Sequence, residues 1–157
     1  MGTRNLTIVK IKSKTKVAQY GQWDGYPTGQ GQTIADFLKT VDLEKFKEQI
    51  SKLKEYTKKD IKKVQQKLDD AINKDKIMKQ FPELDRDYGA GILQLIHDGV
   101  VTKVKLNEDF KKDTLFCEYC YTIDLDKETV QVGNLKPFTF KQWTRKGLMK
   151  KLEKQDV

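Results

Sequence analysis

The chain has 157 residues, 37% hydrophobic and 34% charged, with a formal net charge of +8. That length fits one domain with a single core, and 10% aromatics argue against disorder. No apolar run is long enough to span a bilayer, and no apolar segment follows Arg4 as in a secretory leader, so a cytoplasmic protein is expected.

Taken in chain order, "LTIVKIK" at residues 6–12 alternates and is β-branched, which predicts a strand. "KVAQYGQ" at 16–22 predicts its hairpin partner. Then comes "WDGYPTGQG", residues 23–31, with two aromatics, a carboxylate, a proline and three glycines. Thr33 with Asp36 three residues later reads as a capping box opening a short helix through Leu38.

The middle of the chain is helical. Leu43, Phe46, Ile50 and Leu53 share one face, and Ile61, Val64, Leu68, Ala71 and Ile72 repeat the spacing after a break at residues 57–60. This predicts two antiparallel helices or one kinked helix, a lysine-faced hairpin over 42–79 inserted into a compact body. From 39 to 79 there are 13 Lys against 8 acids. Such a face is ordinarily a solvated one.

"FPEL" at 81–84 breaks the helical pattern. Asp87 is placed to cap a helix over 88–97, stopped by Gly99, with His97 at the end where a positive charge is favoured. "TLFCEYCYTIDLD" and "TVQVGN" predict a second hairpin around 126–128. Thr139 and Gln142 form a capping box for a last helix carrying Phe140, Trp143, Leu148 and Leu152. The expected fold is therefore α+β, with a mainly antiparallel sheet of about four strands in two sequential hairpins, packed helices and the inserted lysine-rich hairpin.

Cys117 and Cys120 make one C-x-x-C, with His97 as the single further Cys/His residue. A zinc site needs about four ligands, and a strand interior suits neither zinc nor thioredoxin-like chemistry, so no metal and no cofactor are expected. Inside a strand the two thiols would face opposite sides.

The 23–31 stretch has two readings. Gly29 and Gly31 lead into the helix at Thr33, and a glycine loop feeding a helix N-terminus offers N–H groups to an anion. Tyr20, Trp23 and Tyr26 could stack a base, Asp24 could accept from a ribose or amine, and Arg4 would bring a planar fork for phosphate. Gly25 would allow close backbone approach. The candidate ligand-binding set is thus Arg4, Tyr20, Trp23, Asp24, Gly25, Tyr26, Gly29, Gly31 and Thr33. Equally, Trp23 and Tyr26 could plug the core while the glycines merely bend the chain. No Walker or G-x-G-x-x-G motif is present.

"MGTRNLT", "VAQYGQWDGYPTGQG", "RDYGAGILQLI" and the "IDLD" hairpin together resemble a largely uncharacterised family of small proteins, common in bacteriophage genomes and found also in bacteria and fungi. Its members begin M-[GS]-T-R and carry [FW]-D-G-Y-P after the second strand. The resemblance covers about residues 1–38 and 81–132 and leaves out 42–79. Arg4, Trp23, Asp24, Gly25, Tyr26, Pro27, Arg86, Asp87 and Gly89 match recurring positions. It implies a phage origin and no particular activity.

Three functions follow as expectations. The first is a binding protein for a small anionic, nucleotide-derived ligand, sequestering a host defence signal, by analogy with phage proteins of this size. The second is a host-protein interaction module using the basic helical hairpin. That hairpin has eight acids, no arginine and little aromatic content, so a nucleic-acid partner is less favoured. The third is an N-terminal-nucleophile-like hydrolase. This needs Thr3 exposed by processing, since Gly2 has no nucleophile and no Ser-His-Asp set exists. A homo-oligomer is compatible with all three.

Overall fold

The computed structural model describes residues 2–107 and 117–155. Strands β1 (Asn5–Ile11) and β2 (Lys14–Gly21) form the expected hairpin. Lys12 and Ser13 both have positive φ, 51° and 61°, the conformation of a tight two-residue turn matching strand twist. The register runs from Asn5↔Gly21 to Ile11↔Lys14, and between Val9↔Val17 and Lys10↔Thr15 an extra residue, Lys16, bulges.

Beyond β2, a π-helical turn (Pro27–Gly31) runs straight into α1 (Gln32–Thr40). Next come α2 (Leu43–Lys52), β3 (Lys54–Glu55), α3 (Lys58–Asp70) and α4 (Lys74–Met78). Single 3-10 turns at Pro82–Leu84 and Gly89–Gly91 lead to α5 (Ile92–His97) and β4 (Lys103–Val104). The chain continues with β5 (Tyr119–Asp124), β6 (Thr129–Val132), β7 (Phe138–Thr139), α6 (Phe140–Trp143) and α7 (Leu148–Glu153).

The fold is α+β, and the two expected antiparallel hairpins, β1–β2 and β5–β6, lie side by side, but the sheet has five strands and is mixed. The order is β2-β1-β5-β6-β7, and β1 and β5 run parallel, from Asn5↔Tyr119 to Lys10↔Asp124. A parallel neighbour requires a long crossover, here supplied by everything between β2 and β5. A two-residue strand, β7, extends the edge beyond β6, and β3 pairs with β4 as a separate parallel ladder. The part of the predicted "TLFCEYCYTIDLD" strand before Cys117 lies outside the described residues.

Residues 5–9 of β1 are buried on both faces, as expected of a strand flanked on each side. On one face Val9, Val17, Tyr121, Ile123, Val130 and Val132 pack beneath the helices. On the other Leu6, Ile8 and Ala18 form a smaller cluster that receives Leu106, Cys117 and Cys120. Cys117 precedes β5 instead of lying inside it, so both sulfurs reach the same face, contrary to the alternation expected of a strand.

The predicted lysine-faced hairpin divides into two unlike parts. Asp42 caps α2 by accepting from Lys45 N, 3.2 Å, and α2 sends fully buried Phe46 and Ile50 into the main core, so it belongs to the body. Leu53 ends it, and β3 intervenes before α3. The phase break read at 57–60 is a real cap: Thr57 and Asp60 make the reciprocal capping box of α3. Among α3 residues only Val64 is buried, α4 buries none, and Ile72 between them is fully exposed. The outer helices thus cover the body loosely.

The other helix signals are partly met. Gly99, with φ +77°, ends α5. Asp87 does not cap it, because the helix begins after the Gly89–Gly91 turn. Thr139 and Gln142 form their capping box, but Gly147 (φ +86°) splits the last helix into α6 and α7. Among the described residues no helix is long and apolar enough to cross a membrane.

Candidate functional site

Residues 23–31 fold into an ordered corner many of whose backbone groups are taken up by hydrogen bonds within the protein. Gly29 N donates to Tyr26 O at 2.8 Å and Gln30 N to Asp24 O at 2.7 Å. Gly25 N donates to Thr3 O at 3.2 Å, which places the Arg4 backbone beside the turn as strand polarity implied. Buried Gln30 donates to Trp23 O and accepts from Ala90 N, riveting the corner to the Gly89–Gly91 turn. Tyr121 Oη donates to Gly25 O at 2.7 Å, and Trp143 Nε1 to Gly31 O at 3.1 Å.

The capping box read at Thr33 does not form. Pro27 already starts the helical turn, Thr33 lies inside the continuous helix with its hydroxyl on Gly29 O, and Asp36 accepts from Gln32 and pairs with Lys39. The imagined helix entry at Thr33, with open N–H groups for a phosphate, is therefore absent from this corner. Asp24 is exposed with φ +55°, while Gly25 and Gly31 are buried. A Cβ at Gly29 would stand 2.1 Å from the Asp24 carbonyl oxygen, so the glycine serves backbone packing. Gly29→Ala is expected to cost about 1–3 kcal/mol in urea-monitored stability, the usual range for forced overpacking. An unchanged midpoint would mean that the corner yields freely.

Trp23 and Tyr26 are each 40% exposed and so do not plug the core. Trp23 Nε1 donates to Asp87 Oδ1 at 2.7 Å, and Arg86 Nη1 to Gln22 Oε1 at 3.2 Å, which tie the corner to the segment after the Pro82–Leu84 turn. Of the nine candidate residues, Tyr20 lines one of two cavities beyond this corner, and the other eight line neither.

Those cavities lie beneath α3. One, of about 250 Å³, is lined by Tyr20, Gln65, Glu83, Arg86, Lys105 and Asn107 among others. The other, of about 330 Å³, has Tyr56, Lys63, Lys67, Phe81, Glu83 and Lys103 in its walls. Val64 and Glu83 belong to both, so the two flank one partition under a loosely held helix.

The partition carries unusual polar chemistry. Glu83 is only 8% exposed, and the Tyr56 hydroxyl donates to its Oε1 in a short hydrogen bond. Tyr56 is set by β3, its backbone N–H bonding Val104 O. Burial, then the Glu83 carboxylate, pushes the Tyr56 phenol well above its ordinary value, so it stays protonated and donates. Lys103 lies 5.5 Å from the centre of the Tyr56 ring and 3.3 Å from Asp60, and Lys67 lies 5.6 Å from that of Phe81. The Thr57 backbone and hydroxyl hold Asp60 below the usual carboxylate range.

Burial likewise raises the Tyr121 phenol. For both tyrosines the folded state keeps a proton that the unfolded chain releases near its ordinary pKa of about 10. The stability they contribute is complete below that pH and is lost above it. Phenolate absorbance is therefore expected to show Tyr56 and Tyr121 ionising only as the protein unfolds in alkali. Loss of the Tyr56 and Tyr121 protons from a chain that stays folded would contradict this burial.

Sequence reading missed Glu83 and gave Tyr56 no role. The available signal was a carboxylate set between Pro82 and Leu84 within a short apolar break. Set against protein-family models, curated proteins and solved structures, the chain matches none of them.

Proposed function

We propose that the protein is a non-catalytic binding protein for a small anionic, nucleotide-derived ligand, held in the cavities beneath α3 rather than at the 23–31 corner. The observation carrying this reading is that Lys67 and Lys103 rest on the faces of Phe81 and Tyr56 within one cavity, with Lys63 beside them. An ammonium on a ring face is a modest attraction, about 0.5–1 kcal/mol at exposed sites. A base stacking on the ring and phosphates drawing the lysines away would replace it with stronger contacts. The cavity volumes approach those of small-ligand sites, and the net charge of +8 favours anions. The resemblance to phage proteins supports a role in the host cytoplasm, where such a ligand would be a defence signal removed from circulation.

Incubating the protein with mixed nucleotides, denaturing it and analysing what is released tests this reading. An intact nucleotide is expected from the native chain, lost from Lys67→Ala and Lys103→Ala. Release abolished only by Arg4→Ala and Trp23→Ala would return the site to the corner. Turnover of the ligand by the unprocessed chain, or no bound nucleotide at all, would refute the reading.

Docking to a host protein is the second reading. Its specific support is fully exposed Ile72, an aliphatic side chain amid the lysines of α3 and α4.

A further inference from the structure

We infer that Glu83 reads the base of the bound nucleotide and that the ligand is a guanine nucleotide. This rests on the nucleotide reading above and adds which base is taken.

A carboxylate on a residue only 8% exposed is ordinarily matched by a cation or by several donors, because desolvating it is costly. Glu83 has neither. Among the described residues Tyr56 is its one hydrogen-bond donor, on Oε1, and no Lys, Arg or His nitrogen lies within ion-pair distance. An ionised carboxylate offers about four acceptor positions over its two oxygens, so most of this capacity is open where the group borders both cavities. A phenol that keeps its proton fixes the carboxylate through one lone pair of Oε1 and leaves the second lone pair of Oε1 and both of Oε2 for a ligand.

The missing partner is then a group with N–H donors side by side. A guanidinium or amidinium would satisfy the carboxylate, but Lys63, Lys67 and Lys103 in one cavity and Arg86 and Lys105 in the other outnumber Asp60 and Asp85 there and disfavour a cation. A neutral heterocycle with an anionic tail suits both features. Guanine presents a ring N–H next to an exocyclic amino group on its pairing edge, two parallel donors for one carboxylate. Adenine and cytosine set a ring lone pair beside their amino group, and uracil sets carbonyls on both sides of its N–H. Each of those places an acceptor against Glu83.

Equilibrium dialysis of the full chain with guanosine, inosine, xanthosine and adenosine monophosphates decides the matter. Guanosine monophosphate is expected to bind roughly 5- to 100-fold tighter than the adenosine compound, the discrimination typical of a bidentate contact to a base. Inosine, lacking the amino group, should fall between them. Xanthosine, with a carbonyl in its place, should bind poorly. In Glu83→Gln the preference for guanine should collapse while binding of the phosphate-bearing tail persists. Equal affinity for guanosine and adenosine compounds, or a preference unaltered in Glu83→Gln, would overturn the assignment of Glu83 and leave the nucleotide reading standing. Binding of none of the four would remove both. Should Glu83→Gln fail to fold, the ligand series on the native chain decides by itself.

Discussion

Trp143→Ala is expected to lower the unfolding free energy by about 3–5 kcal/mol, the range for deleting a large buried aromatic. Trp143 is fully buried in α6, packs edge-on to Tyr121 at 6.0 Å between ring centres and lies 5.8 Å from Phe138. Its indole N–H also satisfies the Gly31 carbonyl, while the Thr28 hydroxyl donates to Glu153 of α7, so the C-terminal segment is joined to the 23–31 corner through both α6 and α7. Trp143→Phe separates the two contributions. It retains much of the ring contact and removes the indole donor from a Gly31 carbonyl that, at the start of α1, still accepts within the helix, so its cost should be the smaller one of a single hydrogen bond, about 0.5–1.5 kcal/mol. Urea melts of both variants, compared at constant slope, check the order. A loss below about 1 kcal/mol for the alanine variant would mean that the corner holds without its C-terminal clamp.

Phe46→Ala should be comparably severe, again about 3–5 kcal/mol. Phe46 has no exposed surface and meets Phe37 of α1 edge-on at 4.9 Å. Were residues 42–79 an appendage, this substitution would perturb a local helix and spare the rest. With α2 in the main core it should shift global unfolding, while Ile72→Ala, on a fully exposed side chain, should stay within about 0.5 kcal/mol. Equal, small effects at both positions would detach α2 from the core.

The contrast between these two positions shows what a sequence reading can reach. The 3-4 spacing of Phe46 and Ile50 gives a helix, and so does that of Ile61, Val64 and Leu68. Spacing does not say which apolar face meets the core. Local chemistry was legible where its partners are local: the hairpin of β1 and β2, the Thr57–Asp60 and Thr139–Gln142 boxes, the stop at Gly99. The Thr33–Asp36 box failed because Pro27 had already begun the helix. The mixed sheet was hidden because the parallel partner of β1 lies more than a hundred residues away. The candidate site divided on the same line. The corner was visible as a run of unusual residues, whereas Tyr56, Glu83, Lys67 and Lys103 come from four separate stretches that only the tertiary fold brings together.

The parallel pairing of β1 with β5 also bears on how the chain is made. During synthesis the β1–β2 hairpin emerges early, yet one edge of β1 stays open until residues 119–124 have left the ribosome. Beside that edge, on the two faces of the strand, stand Leu6, Ile8 and Val9, apolar positions that the finished protein buries completely or nearly so. At about 5–20 residues per second the wait lasts about 5–20 seconds, with an unpaired hydrophobic strand offered to any neighbouring chain. Lys10, Lys12, Lys14 and Lys16 crowd the far end of the hairpin, and their mutual repulsion between nascent chains opposes association during that interval. Some of the basic charge is thus of use before the fold, and any ligand site, exists.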